Sequence, residues 1–274
     1  MDEVTAVHVS KAAPWALKAF AAAAFFAVTP LPSHAAEPQP ACDCPMDLVK
    51  FAQPLPRVAG KLMAGTPITI VAIGSSSTAG AGASTPEGSY PSRLAVELKQ
   101  TFPKQEFKVI NRGVNGEEVE EMLKRFDTSV IAEKPDLVLW QLGTNSLLRD
   151  NMLSDQGAMI RGGLDKLRAI GADIVLIDPQ FAPKVIAKPH AEQMVEFIAV
   201  TARKENVELF RRYQVMKRWS EVNRLPFETF VSADGLHLND WSYACMAKGL
   251  GMAIAEAAQR PVLSATAVPM RPTP

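Results

Sequence analysis

Short apolar runs alternate with longer amphipathic segments along most of this chain, and this alternation constrains the fold more than any other feature of the sequence. Runs rich in Val, Ile and Leu are typical of strands that are buried on both faces. A helical segment between two such strands makes them parallel neighbours in one sheet. The sequence therefore predicts a single α/β domain in which helices cover both faces of a parallel sheet.

The apolar runs predict five strands, at residues 67–73, 107–111, 136–142, 173–178 and 207–210. The amphipathic segments predict helices at residues 89–101, 116–132, 155–170, 190–204 and 241–258. Asn239 or Asp240 is expected to cap the last helix, since either side chain can accept from a free N–H of the first turn. Reactive groups in such sheets gather at the carboxyl ends of the strands. The loops of interest are GSSSTAG, NRGVNGE, GTNS, DPQFAP and SADGLHLND.

The first 35 residues have the organisation of an export signal. Two lysines precede the apolar run of residues 19–28, and small residues follow it. The run is shorter than the roughly 20 residues that a membrane span needs. We predict a signal peptide at residues 1–35, cleaved near Ala35 or Ala36, and a periplasmic or secreted protein without a stable membrane span. An uncleaved interfacial helix is the alternative.

Proline-rich sequence flanks the alternating part of the chain. Residues 36–60 are predicted to be a linker with one short helix at most, and residues 61–260 to be the folded domain. Residues 261–274 are predicted to be a disordered tail.

Cys42, Cys44 and Cys245 are the three cysteines of the chain, and their spacing matches no zinc pattern. An oxidising compartment permits a bond from Cys42 or Cys44 to Cys245, which would tie the N-terminal arm to the last helix. A free, buried Cys245 is the alternative that the sequence leaves open.

The charge of the chain is balanced, with 29 Lys plus Arg against 29 Asp plus Glu and no dense basic run. A protein that binds a phosphate backbone concentrates positive charge on one surface. Nucleic acid is therefore not expected as a partner.

A catalytic serine needs a histidine, because its hydroxyl is a poor nucleophile until a base takes the proton. Of the four histidines, His8 and His34 lie in the predicted export signal. His190 starts an amphipathic helix, where a solvated or capping role is expected. His237 follows Asp234 by three residues in a loop. A carboxylate at this spacing can accept the Nδ1 proton and leave Nε2 facing the serine.

Two other loops offer donors for the oxyanion that forms during acyl transfer. Gly113 follows the second predicted strand with a backbone N–H, and Asn145 follows the third with a side-chain amide. Such donors are a known means of stabilising an oxyanion. Each residue alone is explained equally well by a turn or a helix cap, so only the combination points to chemistry.

Together and in this order, the four motifs resemble those of the SGNH hydrolases, also called the GDSL esterase/lipase family, over roughly residues 66–258. The family's first block, G-D-S-x-T-x-G, matches GSSSTAG at residues 74–80 and makes Ser76 the nucleophile. The other blocks match at Gly113, at residues 143–145, and at Asp234 with His237.

Two positions depart from the family pattern. Ser75 stands where the family has an aspartate before the nucleophile, and Ser146 follows Asn145 where aspartate is frequent. Neither position belongs to the nucleophile, the base or the oxyanion donors. The departures weaken only the transfer of properties from a particular subfamily.

The resemblance implies a three-layer α/β/α sandwich with a flavodoxin-like parallel sheet of about five strands. It implies an exported serine esterase with an acyl-enzyme on Ser76, His237 as base and then acid, and Asp234 orienting that histidine. The oxyanion hole would comprise the Ser76 N–H, Gly113 and Asn145. No metal or organic cofactor is called for.

Export favours a small ester or an acylated glycan as the substrate, and Gln180 and Phe181 are expected to line its pocket. An O-acetyltransferase acting on cell-envelope or extracellular glycans would use the same acyl-enzyme, and the sequence separates it poorly from a hydrolase. A non-catalytic carbohydrate-binding module on the same fold would be expected to lose at least one site residue. A nucleotide-binding loop is disfavoured because GSSSTAGAG lacks the lysine of a phosphate-binding loop.

Overall fold

A parallel sheet of five strands forms the centre of the protein in a computed structural model, which describes residues 39–151 and 153–261. The strands are β1 (Ile68–Gly74), β2 (Phe107–Gly113), β3 (Leu137–Gln141), β4 (Asp173–Ile177) and β5 (Glu208–Phe210). Their order is β2-β1-β3-β4-β5, and every neighbouring pair is parallel. This is the flavodoxin-like order, so the predicted fold class is confirmed. The predicted export signal and residues 262–274 of the predicted tail lie outside the described residues.

Thirteen α-helices accompany the sheet within the described residues. They are α1 (Met46–Val49), α2 (Pro56–Ala64), α3 (Ser76–Ala79), α4 (Tyr90–Thr101), α5 (Val119–Lys124), α6 (Phe126–Ser129), α7 (Thr144–Leu148), α8 (Leu153–Ala169), α9 (Pro183–Ile186), α10 (Ala191–Lys204), α11 (Arg212–Glu221), α12 (Phe227–Phe230) and α13 (Asp240–Gln259). One layer contains α4 packed on α13, and the other contains α8 packed on α5 and α10. Nearly all side chains of β1, β3 and β4 are therefore buried, as the apolar runs predict.

The boundaries of the long helices agree with the sequence pattern, but the helix predicted over residues 116–132 is divided into α5 and α6. Arg125 separates the two with φ −110° and ψ 9°, which is not helical. Its guanidinium donates to the Glu117 carboxylate and to the Arg112 carbonyl, 2.8 Å away in each case. These bonds hold the chain in a turn that hydrophobic periodicity does not report.

The N-terminal arm differs from the linker predicted for residues 36–60. Residues 39–60 carry α1 and the start of α2, and Phe51 and Leu55 are buried in the hydrophobic core. A disulfide bond joins Cys42 to Cys245 of α13, with 5.4 Å between the Cα atoms. The linker prediction is thus corrected for residues 39–60, because apolar side chains and a covalent bond attach the arm to the domain.

Across residues 39–151 and 153–261, no helix has both the length and the apolar character needed to cross a membrane. Asn239 caps α13, as one of the two predicted candidates: its side chain accepts from the backbone N–H of Ser242 at 3.1 Å. This cap fixes the start of α13 at Asp240, three residues after His237.

Candidate active site

Ser76 is the first residue of α3 and lies two residues after Gly74, the carboxyl end of β1. It is partly exposed, whereas Ser75 and Ser77 on either side are buried. Among the described residues, the Ser76 backbone N–H has no hydrogen-bond partner, as expected at the first position of a helix. Of the three consecutive serines, Ser76 alone presents its hydroxyl to the surface side of the turn.

Ser75 is held by the neighbouring strand. Gln141, the last residue of β3, accepts through Oε1 from the Ser75 backbone N–H at 2.9 Å and from the Ser75 hydroxyl at 3.0 Å. The buried Gln141 amide therefore holds the turn through Ser75, the position at which the SGNH hydrolase pattern has an aspartate. Although Ser75 stands in place of that aspartate, its buried N–H and its buried hydroxyl both have a hydrogen-bond partner.

His237 lies between Ser76 and Asp234. Its Nε2 atom is 2.8 Å from Ser76 Oγ, and its Nδ1 atom makes a very short contact with Asp234 Oδ2. The other oxygen of Asp234 accepts from the backbone N–H groups of Leu236 at 2.9 Å and His237 at 3.0 Å, and from Ser232 Oγ at 2.7 Å. Ser76 is far from Asp234 and His237 in sequence, and the structure brings the three side chains into one row.

The hydrogen bonds that Asp234 accepts favour the ionised form of its carboxyl group. Partial burial by itself raises the pKa of the Asp234 carboxyl, but the four hydrogen bonds outweigh it and hold the pKa well below its usual range. An ionised carboxylate can only accept, so His237 Nδ1 carries the proton and Nε2 is left to accept from the Ser76 hydroxyl. This arrangement can draw a proton from Ser76.

His190 takes no part in this row. It is exposed at the start of α10, and its Nδ1 atom lies 2.9 Å from Gln193 Oε1 on the same helix. This is the solvated position that the sequence predicts for it.

The two residues predicted as oxyanion donors differ in their freedom to donate. Asn145 in α7 donates one Nδ2 hydrogen to the Glu117 carbonyl at 2.8 Å, and the second hydrogen of that amide has no partner among the described residues. Gly113 has a single backbone hydrogen, which it donates to Asn111 Oδ1 at 2.9 Å. The oxyanion assignment of Gly113 is therefore corrected, because its only donor is already used.

Gly113 instead permits close packing of β2 against α3. A Cβ atom at this position would lie 2.1 Å from the Ala79 backbone nitrogen, so no other residue fits. The Asn111 side chain also donates to the Thr78 carbonyl at 2.8 Å. These contacts fix α3 against the edge of the sheet.

Gly116 is a further candidate donor, which the sequence pattern did not indicate. It has φ +79°, and within the described residues its backbone N–H has no hydrogen-bond partner. Its neighbour Glu117 accepts from Asn145, which brings the two loops together. The second glycine of NRGVNGE is the only trace of this in the sequence, and a turn accounts for it equally well.

Gln180 and Phe181 are not surface residues of a pocket. Gln180 is 1% exposed and Phe181 is 7% exposed. The Phe181 ring packs on Tyr213 and Phe227, with ring centres 5.2 and 5.8 Å away. The prediction that these residues line the substrate pocket is corrected, because Phe181 packs in the hydrophobic core and the buried Gln180 amide is bonded to Thr144 and the Leu236 carbonyl.

The three cysteines form the one group of potential metal ligands that is found among residues 39–151 and 153–261. Cys42 and Cys245 are joined in a disulfide, and Cys44 is a free, buried thiol. Burial raises the pKa of the Cys44 thiol to about 12, which keeps it protonated.

A sequence model of the non-GDSL lipase-like family matches residues 41–260. The chain belongs to this family. Membership agrees with the resemblance to SGNH hydrolases, which is thereby confirmed. No curated protein matches this sequence.

Solved structures similar to this chain include a two-domain esterase active on acetylated mannans, with TM-score 0.63 and 21% identity. That match covers 82% of this chain but only 59% of the two-domain esterase. An acetylxylan esterase from Geobacillus stearothermophilus has TM-score 0.58 and 20% identity, and the match covers 68% of this chain and 94% of that esterase. At these identities the similarity establishes a shared fold.

Proposed function

We propose that this protein is an exported serine esterase that cleaves acetyl esters of glycans through an acyl-enzyme on Ser76. The observation that carries the proposal is the position of His237, 2.8 Å from Ser76 Oγ through Nε2 and bonded to Asp234 through Nδ1. A serine, a histidine and a carboxylate in this geometry are the parts that acyl transfer requires.

The first half of the reaction forms the acyl-enzyme. Ser76 Oγ attacks the ester carbonyl carbon while its proton passes to His237 Nε2, and the carbonyl oxygen becomes an oxyanion. The oxyanion accepts from the Ser76 N–H, from the free Asn145 amide hydrogen and from the Gly116 N–H, which replaces Gly113 in this role. The carbon–oxygen bond to the alcohol then breaks, and His237 gives its proton to the departing oxygen.

The second half regenerates the enzyme. A water molecule gives a proton to His237 Nε2 and attacks the acyl carbon, and the second tetrahedral intermediate uses the same donors. Collapse of this intermediate releases the carboxylic acid and returns the proton to Ser76. Asp234 stays ionised throughout and keeps His237 in the tautomer that both halves need.

Two similarities favour an acetylated glycan as the substrate. The two similar enzymes are described as active on acetylated mannans and as an acetylxylan esterase. Structures of catalytic mutants of the second enzyme have a serine or a histidine replaced by alanine. A serine and a histidine are also the reactive pair proposed here.

A panel of p-nitrophenyl esters of increasing acyl length, run beside acetate release from acetylated mannan and xylan, tests the proposal. We expect the highest kcat/KM with the acetyl ester, together with acetate release from at least one glycan. Activity confined to long acyl chains would contradict the acetyl assignment. Acetylation of an added oligosaccharide in place of acetate release would indicate the acyltransferase, and no reaction of any kind would favour a binding module.

Export is a separate part of the proposal and rests on the sequence of residues 1–35. N-terminal sequencing of protein recovered from outside the cytoplasm should give a start near Ala36 or Glu37. Recovery of that protein with Met1 still in place would contradict cleavage.

A further inference from the structure

The side chain of Gln180 lies between the two loops that carry Asn145 and His237. Its Oε1 atom accepts from Thr144 Oγ1 at 3.0 Å, and its Nε2 atom donates to the Leu236 carbonyl at 3.1 Å. Thr144 immediately precedes Asn145, and Leu236 immediately precedes His237. One amide group thus joins the residue before the oxyanion donor to the residue before the base.

The two side chains that form this bridge are buried, which makes the loss of its hydrogen bonds costly. Gln180 is 1% exposed and Thr144 is 3% exposed, so water cannot replace either partner without a rearrangement. Leu236 is held from both sides, because its N–H donates to Asp234 Oδ1 and its carbonyl accepts from Gln180. The loop of the base is therefore fixed to Asp234 and to the loop of the oxyanion donor at the same residue.

The chemistry of the bridge requires an amide at this position. One end must accept a hydrogen bond from a hydroxyl, and the other must donate to a carbonyl. A carboxylate at neutral pH offers only acceptors, and an aliphatic or thioether side chain of similar length offers neither a strong donor nor a strong acceptor. Glutamine meets both demands.

From this geometry we infer that Gln180 is a positioning residue, which sets the spacing between the Asn145 amide and the His237 imidazole. The inference rests on the proposed esterase function. It gives a role to a buried polar side chain that neither the hydrophobic core nor the Ser76–His237–Asp234 row explains. Displacement of a reacting group by 1 Å can lower turnover by about 10²-fold, so a connection between the two loops bears directly on rate.

The first test replaces Gln180 with methionine, which has a similar length and no amide. With p-nitrophenyl acetate we expect kcat to fall by about 10–10²-fold while KM changes by less than about twofold, because alignment is lost and not substrate contact. Gln105→Met is the matched control. Gln105 is also buried, and it donates to the Thr66 and Glu106 carbonyls near the amino end of the sheet.

Both variants lose a buried amide, so both are expected to lower the thermal unfolding midpoint. Only Gln180→Met is expected to lower kcat. Equal kcat in Gln180→Met and the wild type would overturn the inference, as would an equal loss of kcat in Gln105→Met.

Thr144→Val tests the bridge from its other end, since valine keeps the shape of threonine and removes the hydroxyl. Because both changes break the same hydrogen bond, Gln180→Met with Thr144→Val should lower kcat little further than Gln180→Met alone. Losses of kcat that multiply would mean that the two residues act independently, which contradicts the bridge.

Hydrogen–deuterium exchange supplies a readout that does not depend on turnover. Peptides that cover residues 143–148 and 232–239 should exchange faster in Gln180→Met than in the wild type, and at the wild-type rate in Gln105→Met. If the wild type cleaves no ester, the proposed function fails, and exchange alone decides on the bridge. Unchanged exchange in both peptides would overturn the bridge while leaving the esterase function intact.

Discussion

His237 Nε2 lies 2.8 Å from Ser76 Oγ although 161 residues separate the two in sequence. Ser76 is positioned by the end of β1, and His237 by a short loop closed by a bridge between Val231 and Leu238. The Ser232 N–H donates to the His237 carbonyl at 2.8 Å within this loop. Each partner is therefore held by its own local structure, and the parallel sheet brings the two together.

Alanine variants of His237 and His190, the two histidines among the described residues, are expected to differ in esterase activity. His237→Ala should abolish esterase turnover, because His237 is the one base within hydrogen-bond distance of Ser76 Oγ in the described part of the chain. His190→Ala should leave kcat close to the wild-type value, since His190 is exposed and its ring bonds to Gln193 of the same helix. The measurement is steady-state hydrolysis of p-nitrophenyl acetate, and equal losses in both variants would contradict the assignment of the base.

Asp234→Asn should lower kcat by about 10⁴-fold, because an asparagine cannot hold His237 in the required tautomer. A loss of less than tenfold would mean that another group orients the base. Steady-state kinetics at neutral pH provide the comparison.

Asp234 also predicts a pH dependence of folding stability. Its pKa is lowered in the folded protein, so the ionised form contributes stability that is present above about pH 3.9 and is lost as pH falls toward the folded pKa. The difference in unfolding midpoint between the wild type and Asp234→Asn should therefore be larger at pH 6 than at pH 3. A difference that grows on acidification would contradict a lowered pKa.

Asn145→Ala should lower kcat by about 10²–10³-fold, the loss expected for one oxyanion donor. Thermal unfolding and kinetics should be measured on the same preparation. A variant that unfolds at much lower temperature but keeps full kcat would show that the Asn145 bond to the Glu117 carbonyl serves folding alone.

The Cys42–Cys245 disulfide predicts that two cysteine variants differ in their free energy of unfolding. Cys44 Sγ lies 3.6 Å from Cys245 Sγ and can take the place of Cys42, so both must be removed to prevent a bond. Combined Cys42→Ser and Cys44→Ser should lower the free energy of unfolding by about 2–5 kcal/mol. Cys44→Ser alone should keep the disulfide, and an equal loss there would contradict the Cys42–Cys245 pairing. Denaturant unfolding without reductant is the measurement.

The strands and the Asp234–His237 pair were predictable because their signals are local, whereas the choice of Ser76 depended on the resemblance to a family pattern. Buried parallel strands appear as apolar runs, and Asp234, His237 and the Asn239 cap lie within one short loop. The sequence left open whether Cys245 is free or is bonded to Cys42 or Cys44, because the pairing depends on where the arm crosses α13. Spacing alone does not contain that information.

The errors concern side-chain hydrogen bonds and burial. Gly113 carries the expected N–H, but no pattern shows that the Asn111 side chain already accepts from it. Gln180 follows a strand at the correct end of the sheet, yet its direction into the interior is set by Thr144 and Leu236 from other loops. The Asn111 contact is local and the Gln180 contacts join distant parts of the chain, but all of them depend on side-chain directions that exist only in the folded protein.

Labelling with a fluorophosphonate probe tests the central claim most directly, since the probe reacts with a serine that has been activated by a base. Peptide mass spectrometry should locate the adduct on Ser76, and Ser76→Ala should remove labelling and turnover together. Ser75→Ala and Ser77→Ala should retain labelling with at most a partial loss of rate, because both side chains are buried. An adduct on Ser75 or Ser77, or no adduct on a folded wild-type protein, would contradict the account.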